Sequence, residues 1–407
     1  MPVRATKRGA ERTPLAGDWD VIVCGASFAG LAVARELRAS RARVLVLDRY
    51  EIGERQTSAC AAPTDWLVNM GLGPSIQQDF REMVVHTPGL EARWPLPWSF
   101  STFDYRELCD LLWAQCGDAV FETAKVHGRG EAPPPGRTSV ATDRGTLTAP
   151  IVVDALGWRR TLASGPPVQP PRARLSRGLE VHPAGSGADL ELWIDPRYLG
   201  AGYGWSFPAG DEVRVGIGAF DPRVHVKQPT LALVDDVGRE PDGYQGNWIP
   251  HFLRPATEDG VFFVGDSAGH CLPLTAEGIR TALYFGVACG RELRAVLEGR
   301  QDPGTALRRY GEFSDGHAWK YRWLFRAQQS VRHLHGRPAD AILGRFARPG
   351  VAHWGFGRYL DLAPPSFALP APPEIASQSR STSSSVVEAW PTETRTKRVP
   401  AISDGVT

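Results

Sequence analysis

The sequence lacks the features of several protein classes. Its 46 lysine and arginine residues nearly balance 45 aspartate and glutamate residues, and the formal net charge of +1 gives no bulk attraction to nucleic acid. The longest stretch without charge, residues 21–34, is shorter than the roughly 20 residues that cross a bilayer. The basic N-terminus is not followed by an apolar export segment. We therefore expect a cytoplasmic protein that binds no nucleic acid and is not integral to a membrane.

Cysteine is scarce, with six residues in a chain of 407. No two cysteines form a Cys-x-x-Cys pair and none has the spacing of metal ligands, so we predict no metal site. Together with the missing export segment, this pattern indicates reduced thiols in a cytosolic protein. The six residues are Cys24, Cys60, Cys109, Cys116, Cys271 and Cys289.

A strand, a glycine turn, a helix and a second strand follow one another within residues 21–48, which is typical of a βαβ unit. The outer glycines of the turn Gly-Ala-Ser-Phe-Ala-Gly allow tight packing and leave backbone N–H groups to meet a pyrophosphate. An acid ends the second strand 18 residues later, where it can accept hydrogen bonds from an adenosine ribose. In the alternative interpretation, the two glycines serve only the packing of the helix on the strand, and the acid is a residue of a surface turn. The predicted cofactor contacts are Gly25, Ser27, Phe28, Ala29, Gly30, Asp48 and Arg49.

The segment 264–279 indicates that the bound dinucleotide is FAD and not NAD. It reads Val-Gly-Asp-Ser-Ala-Gly-His-Cys-Leu-Pro-Leu-Thr-Ala-Glu-Gly-Ile, which resembles the second flavin motif of the para-hydroxybenzoate-hydroxylase-like FAD enzymes. The resemblance implies that Asp266 holds the ribityl chain and that a helix starting at Gly278 and Ile279 points its positive end at the flavin. We expect that helix to begin near Ala276. A helix cap and a buried turn would explain the same letters without flavin.

The flavoprotein resemblance implies one further cofactor contact. Arg106 lies at the start of a helix predicted over residues 104–113, where this superfamily often has a basic residue beside the pyrophosphate. A surface ion pair is the alternative role for Arg106. Aromatic hydroxylases of the superfamily carry an Asp-Gly dipeptide where this chain reads Asp154-Ala-Leu156-Gly157, and this departure disfavours a hydroxylase that docks NADPH there.

An aromatic motif on a predicted strand indicates to which branch of this superfamily the chain is most similar. Tyr-Gly-Trp-Ser-Phe-Pro is followed, after seven residues, by Gly-Ile-Gly, which resembles the motif of the geranylgeranyl reductase family. Alternation on a strand places the three aromatics on one face, where they could bind a long polyisoprene. An ordinary aromatic β-core is the alternative. The predicted substrate-binding residues are Tyr203, Trp205, Phe207, Pro208, Gly216 and Gly218, and the resemblance spans residues 18 to 300.

The same family resemblance implies a role for Cys60. Members often have a cysteine followed by glycine on a loop near the flavin, and here Ala61 replaces that glycine. A thiol at this place could position an alkene or relay a proton, so Cys60 is the candidate catalytic residue. An inert loop thiol is the alternative.

We predict an α/β fold in which a Rossmann-like FAD-binding domain is interrupted by an antiparallel-sheet substrate domain. Residues 53–100 are rich in turn residues, while residues 161–257 have little helical periodicity and many aromatic residues. The predicted segments are a disordered N-terminus (1–17), the FAD-binding domain (18–62, 104–160 and 258–302), the substrate domain (63–103 and 161–257), C-terminal helices (303–363) and a disordered tail (364–407).

The sequence as a whole predicts an FAD-dependent oxidoreductase that reduces carbon-carbon double bonds of a prenyl lipid, a quinone side chain or a related isoprenoid. NADPH or ferredoxin is the expected external electron donor. The alternatives are a flavin monooxygenase or halogenase, an electron-transferring quinone reductase, and a flavin-free prenyl carrier. Aromatic and basic residues mix in 303–334, which predicts either a helix that caps the main domain or one that docks at a membrane surface.

Overall fold

The computed structural model describes residues 13–56, 58–131, 133–165, 168–170, 172–334 and 336–369. Its architecture is the predicted α/β type, with a six-stranded, an eight-stranded and a three-stranded sheet. Residues 1–12 and 370–407, which hold most of the two predicted tails, lie outside the described residues.

The secondary structure alternates between strands and helices along the chain. The strands are β1 (Val21–Cys24), β2 (Val44–Asp48), β3 (Ala61–Pro63), β4 (Ile76–Thr87), β5 (Leu90–Phe103), β6 (Val120–Thr123), β7 (Val126–Arg129), β8 (Thr138–Thr142), β9 (Gly145–Ala149), β10 (Ile151–Asp154), β11 (Leu175–Val181), β12 (Leu190–Trp193), β13 (Gly202–Ala209), β14 (Glu212–Ala219), β15 (Tyr244–Pro250), β16 (Thr257–Glu258) and β17 (Val261–Phe263). The helices are α1 (Phe28–Glu36), α2 (Thr64–Asn69), α3 (Tyr105–Ala114), α4 (Lys227–Asp236), α5 (Ile279–Leu297), α6 (Pro303–Asp315), α7 (Ala318–Val331), α8 (Gly336–Phe346) and α9 (Pro349–Leu360).

The six-stranded sheet has the order β16-β17-β10-β1-β2-β6, and all strands except β16 run parallel. The apolar runs of β1 and β2 are buried, as expected of strands covered on both faces. At the carboxyl edge, Cys24 of β1 lies between Asp154 of β10 and Leu47 of β2. Ligands of open parallel sheets bind outside this edge.

Helix α1 packs closely on the sheet and on α5 through glycines. A Cβ at Gly30 would lie 1.9 Å from the carbonyl oxygen of Gly25, and a Cβ at Gly286 would lie 2.7 Å from Cβ of Ala32. A larger side chain at position 30 would therefore push α1 away from the turn that follows β1, and one at position 286 would push the two helices apart. This packing fixes the starts of α1 and α5 on the same side of the molecule.

The eight-stranded sheet has the order β15-β11-β14-β13-β12-β4-β5-β3 and is antiparallel except for the β12–β4 pair. Successive residues of β13 alternate between buried and half-buried positions. The buried side packs on α4, where a Cβ at Gly204 would lie 2.7 Å from Leu233. The half-buried side is therefore free to form the wall of a cavity.

The turn-rich interpretation of residues 53–100 is wrong. Strands β4 and β5 form a long hairpin there, with Thr87 opposite Leu90 and only Pro88 and Gly89 in the turn. Pro-Gly marks a tight turn, and the flanking residues pair across the ladder. Helix α4 also lies in the stretch that predicted no helix.

The structure corrects two further boundaries. Helix α5 begins at Ile279 instead of near Ala276, because Ala276 has φ of 52°, which no helical residue adopts. The packed chain extends beyond residue 364, the predicted start of the tail. The carbonyl of Pro365 accepts a hydrogen bond of 3.1 Å from Asn69, and that of Phe367 accepts one of 2.7 Å from Arg291.

At the other end, the chain is already fixed before residue 18, where the first domain was predicted to start. The backbone N–H of Leu15 donates to the carbonyl of Arg144 at 2.8 Å. None of the helices in the described ranges combines the length and apolarity that a bilayer-spanning segment needs.

Candidate functional site

A single cavity of about 1260 Å³ adjoins both large sheets. Its wall includes the carboxyl edge of the parallel sheet, the half-buried face of β13, the β4–β5 hairpin and helices α7, α8 and α9. The cavity is large enough for a sizeable ligand, since ordinary small-molecule sites measure roughly 300–1,000 Å³.

The start of α1 opens into the cavity. Ser27, Phe28 and Ala29 line it, and Ser27 is the N-cap residue but makes no side-chain capping bond. The hydroxyl of Tyr105 donates to Oγ of Ser27 at 3.2 Å and also lines the cavity. The first N–H groups of the helix therefore remain available to an anion, which the helix dipole also favours.

Asp48 lies at the end of β2, beside the start of α1. Its Oδ2 accepts from the N–H of Ala26 at 2.9 Å and its Oδ1 from the N–H of Tyr50 at 3.0 Å. Burial raises the pKa of Asp48, and these hydrogen bonds oppose that effect. Asp48 and Arg49 both line the cavity, so each can reach a bound nucleotide.

The start of α5 opens into the same cavity. Gly278 is its N-cap and provides no side-chain cap, and Gly278 and Ile279 both line the cavity. A Cβ at Gly278 would lie 3.7 Å from Oδ1 of Asp266 and 3.3 Å from Sγ of Cys271. Burial raises the pKa of the Asp266 carboxyl to about 6, while Arg254 opposes this rise. Asp266 therefore lies beside the uncapped end of α5.

The loop before α5, residues 275–277, departs from the glycines common in related flavoproteins, and a buried ion pair holds it. Nε of Arg280 lies 2.6 Å from Oε1 of Glu277, and both side chains are almost fully buried. Arg280 also donates to the carbonyls of Leu360 and Ala363, at 3.0 and 3.2 Å. Helix α9 and the residues after it therefore fix the shape of this loop.

The predicted aromatic wall lies on the cavity face of β13. Tyr203, Trp205 and Phe207 all line the cavity. The Tyr203 hydroxyl donates to the carbonyl of Thr275, which connects the wall to the loop before α5. Nε1 of Trp205 donates to Oε2 of Glu180 at 3.0 Å.

The remaining motif residues serve the wall in different ways. Gly218 lines the cavity, whereas Pro208 and Gly216 are buried behind it. Gly216 leaves room for the ring of Trp205, and the Pro208 carbonyl accepts a hydrogen bond of 2.7 Å from Thr102 on the hairpin. Pro208 and Gly216 thus shape the wall without reaching the cavity themselves.

The structure does not bring Cys60 into the cavity. Its side chain is buried, and its thiol donates to the carbonyl of Ser58 at 3.2 Å, while Ala59 and Ala61 line the cavity on either side. Burial raises the pKa of the Cys60 thiol well above its ordinary value, so the thiol is protonated at neutral pH. This placement agrees with the alternative of an inert thiol.

Arg106 also lies outside the cavity wall. It is exposed and borders a separate shallow depression with Asp104, Glu107 and Asp110. The side chain that reaches the cavity from the start of α3 is its neighbour, Tyr105.

Sequence reasoning missed a large apolar part of the wall. The hairpin supplies Trp94, Trp98 and Phe100, whose alternation along β5 was a signal that could have revealed a strand. Helices α8 and α9 add Phe346 and Phe356, and these rings pack on Trp94 at centroid distances of 5.3 and 5.9 Å. The missed residues extend the aromatic wall towards the C-terminal helices.

The fold defines the class of protein. A geranylgeranyl bacteriochlorophyll reductase-like protein of Thermoplasma acidophilum shares it with a TM-score of 0.74 and 16% identity, over 86% of this chain and 97% of that one. The myxobacterial chondrochloren halogenase, described as a variant of FAD-dependent halogenases, has a TM-score of 0.61 and 14% identity, over 86% of this chain and 91% of its own. The chain therefore has the fold of FAD-dependent oxidoreductases.

Sequence relatives are more specific. A digeranylgeranylglycerophospholipid reductase of Methanosphaera stadtmanae is 24% identical over 362 residues, covering 80% of this chain and 89% of the relative. A chloroplastic geranylgeranyl diphosphate reductase of Nicotiana tabacum is 29% identical over 169 residues, covering 39% and 36%. No family model matches the chain. The relatives confirm the predicted resemblance to geranylgeranyl reductases and the prediction of an oxidoreductase.

Proposed function

We propose that this chain is an FAD-dependent reductase that saturates carbon-carbon double bonds of a prenyl lipid, a quinone side chain or a related isoprenoid. The observation that carries the proposal is the continuity of the cavity. The same cavity adjoins the starts of α1 and α5, which suit a dinucleotide, and the aromatic and aliphatic wall of the second sheet, which suits an apolar chain. Both ligands can therefore meet inside one protein.

The polar end of the cavity fits FAD. The uncapped start of α1 and Asp48 would hold the pyrophosphate and the ribose. Asp266 and the uncapped start of α5 would hold the ribityl chain and the ring system. FAD would supply the hydride, and the external donor in this proposal is NADPH or ferredoxin.

The apolar end of the cavity has to position the alkene. An isolated double bond has no carbonyl for the protein to polarise, so orientation and exclusion of water are what the residues can contribute. Tyr203, Trp205 and Phe207 form an aromatic wall that gains roughly 25 cal/mol for each Å² of apolar surface it buries. The hairpin and helices α8 and α9 would bind the rest of the chain.

We also propose that α7 to α9 rest on an anionic membrane surface. Residues 318–361 contain eight lysine and arginine residues but two aspartates, whereas the whole chain is balanced. Three tryptophans on these helices are strongly exposed: Trp319 (56%), Trp323 (63%) and Trp354 (68%). Exposed tryptophans beside basic residues suit the interface of a bilayer. The same helices line the cavity, so a lipid could enter from that surface.

The test of the reductase proposal uses the purified protein. We expect it to bind FAD, and we expect the anaerobically reduced holoenzyme to be reoxidised by a prenyl alkene such as geranylgeranyl diphosphate. Mass spectrometry should then show a gain of two hydrogens for each reduced bond. Reoxidation by oxygen alone, with a hydroxylated product, would favour a monooxygenase. A protein that cannot bind FAD would be a carrier.

A further inference from the structure

Three ionisable side chains form a line from the outer surface to the cavity. Glu180 is the inner member, because it lines the cavity wall. Its Oε1 lies 3.0 Å from Nε2 of His182, and Nδ1 of His182 lies 3.4 Å from Oε2 of Glu212. Glu212 does not line the cavity, and its side chain is 26% exposed. The two carboxylates therefore contact the two nitrogens of one imidazole.

The strand register produces this arrangement. Glu180 lies on β11, and His182 follows directly after the strand, so both side chains lie on the same side of the chain at a spacing of two residues. Glu212 is the first residue of β14, which pairs with β11. The three side chains therefore extend across the neighbouring strands β11 and β14, from the start of β14 to the cavity.

The charges around His182 keep its ring protonated. Although burial lowers its pKa, the hydrogen bonds to Glu180 and Glu212 raise the pKa of His182 to about 9. Glu212 is also paired with Arg214, at 2.7 Å, and His182 and Arg214 lower its pKa to about 2 against the effect of burial. A charged imidazolium therefore lies within hydrogen-bond distance of the carboxylate at the cavity wall.

Other groups also face Glu180. The side-chain amide of Gln245 donates to Oε1, the same oxygen that contacts His182, whereas Trp205 donates to Oε2. The Cys60 thiol is also close enough for the Glu180 charge to raise its pKa, although burial has the larger effect. Glu180 is thus held against the aromatic wall by Trp205.

We propose that the imidazolium of His182 stores the proton that completes reduction of the double bond, that the Glu180 carboxylate passes this proton to the substrate, and that Glu212 stabilises the charged imidazole. The inference rests on the proposed function. One alkene carbon accepts a hydride, with reduced flavin as the two-electron reductant, and the other carbon accepts a proton that Nε2 of His182 passes through the Glu180 carboxylate. The Nε2–H bond of the imidazolium breaks as this proton leaves, and the neutral ring that remains is reprotonated at Nε2 from solvent, while the Glu212 carboxylate keeps its contact with Nδ1–H.

The experiment is anaerobic single turnover of the reduced holoenzyme with geranylgeranyl diphosphate. Glu180→Gln keeps the shape and the acceptor for Trp205 but cannot act as an acid, and it should slow reoxidation by about 10² to 10⁴-fold. Wild-type reoxidation should slow as the pH rises through the titration of His182, and this pH dependence should disappear in Glu180→Gln. FAD content should not change.

A second carboxylate–imidazole pair in the same sheet provides the matched control. His86 and Glu191 lie 3.0 Å apart on β4 and β12 but do not line the cavity, so Glu191→Gln should react like the wild type. Glu212→Gln changes only the outer end and should shift the pH profile without loss of FAD.

The possible results separate the two proposals. Reoxidation of Glu180→Gln at the wild-type rate, or an unchanged pH profile in Glu212→Gln, would overturn the relay while the reductase function stands. A wild-type enzyme that no prenyl alkene reoxidises would instead overturn the proposed function itself. If Glu180→Gln fails to fold, the pH profile of Glu212→Gln decides alone.

Discussion

The ring of Trp205 lies directly over Gly216 on the neighbouring strand. A Cβ at position 216 would come within 2.3 Å of Cζ2 of Trp205 and within 2.7 Å of Cβ of Glu180. Position 216 therefore tolerates only glycine while the indole keeps its place. This contact gives a steric reason for the first glycine of the aromatic motif.

The variant Gly216→Ala should displace the Trp205 ring without affecting the nucleotide end. Because a shift of about 1 Å at a reacting centre can cost about a hundredfold, we expect reoxidation by a prenyl alkene to slow by that order. Stopped-flow absorbance of the flavin measures this rate, and bound FAD should be unchanged. Gly73→Ala is the control, since an added Cβ there would meet no atom within 4 Å and position 73 does not line the cavity. Equal rates in both variants would contradict the steric role.

Replacement of Asp266 by asparagine should have opposite effects on stability and on FAD binding. The folded pKa of about 6 exceeds the ordinary value of 3.8, so the folded apoprotein holds the extra proton between these pH values. Its stability should fall as the pH rises from about 4 to about 6, by roughly 2–3 kcal/mol in total, and Asp266→Asn should remove this loss. Denaturant unfolding of both apoproteins between pH 4 and 7 measures this pH dependence of the free energy of unfolding.

The same variant should bind FAD less tightly at neutral pH, because it lacks the carboxylate that would accept from the ribityl hydroxyls. Wild-type affinity should weaken as the pH falls below about 6, since protonation removes that acceptor. Asp235→Asn, on the exposed side of α4, serves as the control. Unchanged affinity in Asp266→Asn would show that the carboxylate does not contact the cofactor.

Breaking the buried pair of Arg280 and Glu277 should destabilise the protein strongly. Arg280→Met leaves the Glu277 carboxylate buried beside an apolar side chain, which typically costs about 3–5 kcal/mol. The double variant Glu277→Gln with Arg280→Met should recover part of this loss, because no buried charge remains unpaired. The free energies of unfolding of the wild type, the single variants Arg280→Met and Glu277→Gln, and the double variant form a double-mutant cycle. Additive losses would show that the two residues do not interact.

Two exposed tryptophans of α7 should govern membrane binding. Trp319 and Trp323 are one helical turn apart on the same face, and changing both to Gln should weaken binding to vesicles that contain phosphatidylglycerol. Sedimentation with such vesicles, compared with neutral phosphatidylcholine, measures the effect. Tyr244, which is 49% exposed on β15, provides the control variant Tyr244→Gln. Binding that is insensitive to these tryptophans would argue against docking through α7.

Local patterns explain which parts could be predicted from the sequence. The βαβ unit was readable because buried strands and a glycine turn fall within 30 residues, and the alternation of Tyr203, Trp205 and Phe207 identified one face of a strand. The hairpin of β4 and β5 was missed because its proline residues and Pro-Gly turn resemble loop sequence. Turn residues mark where the chain reverses between two strands, and here they led to the wrong prediction that the segment contains no strands.

The other parts of the site could not be predicted because they depend on contacts between residues that are far apart in the sequence. Glu180 is a single acid in an unremarkable strand, and it reaches the cavity because it pairs with Gly216 on one side and Gln245 on the other. Cys60 is withdrawn from the cavity because the buried side chain of Arg214 donates to the carbonyls of Ala59 and Cys60, at 2.9 and 3.2 Å. Partners more than 150 residues away leave no local sequence pattern.

All six cysteines of the chain are buried and unpaired. Burial raises the pKa of each thiol, to about 12 for Cys109 and Cys116, so almost no thiolate exists at neutral pH. An alkylating reagent should therefore label a cysteine only while its surroundings are open. Because the cysteines lie in different elements, the order in which they are labelled would time the local opening of each region, with no reporter group added.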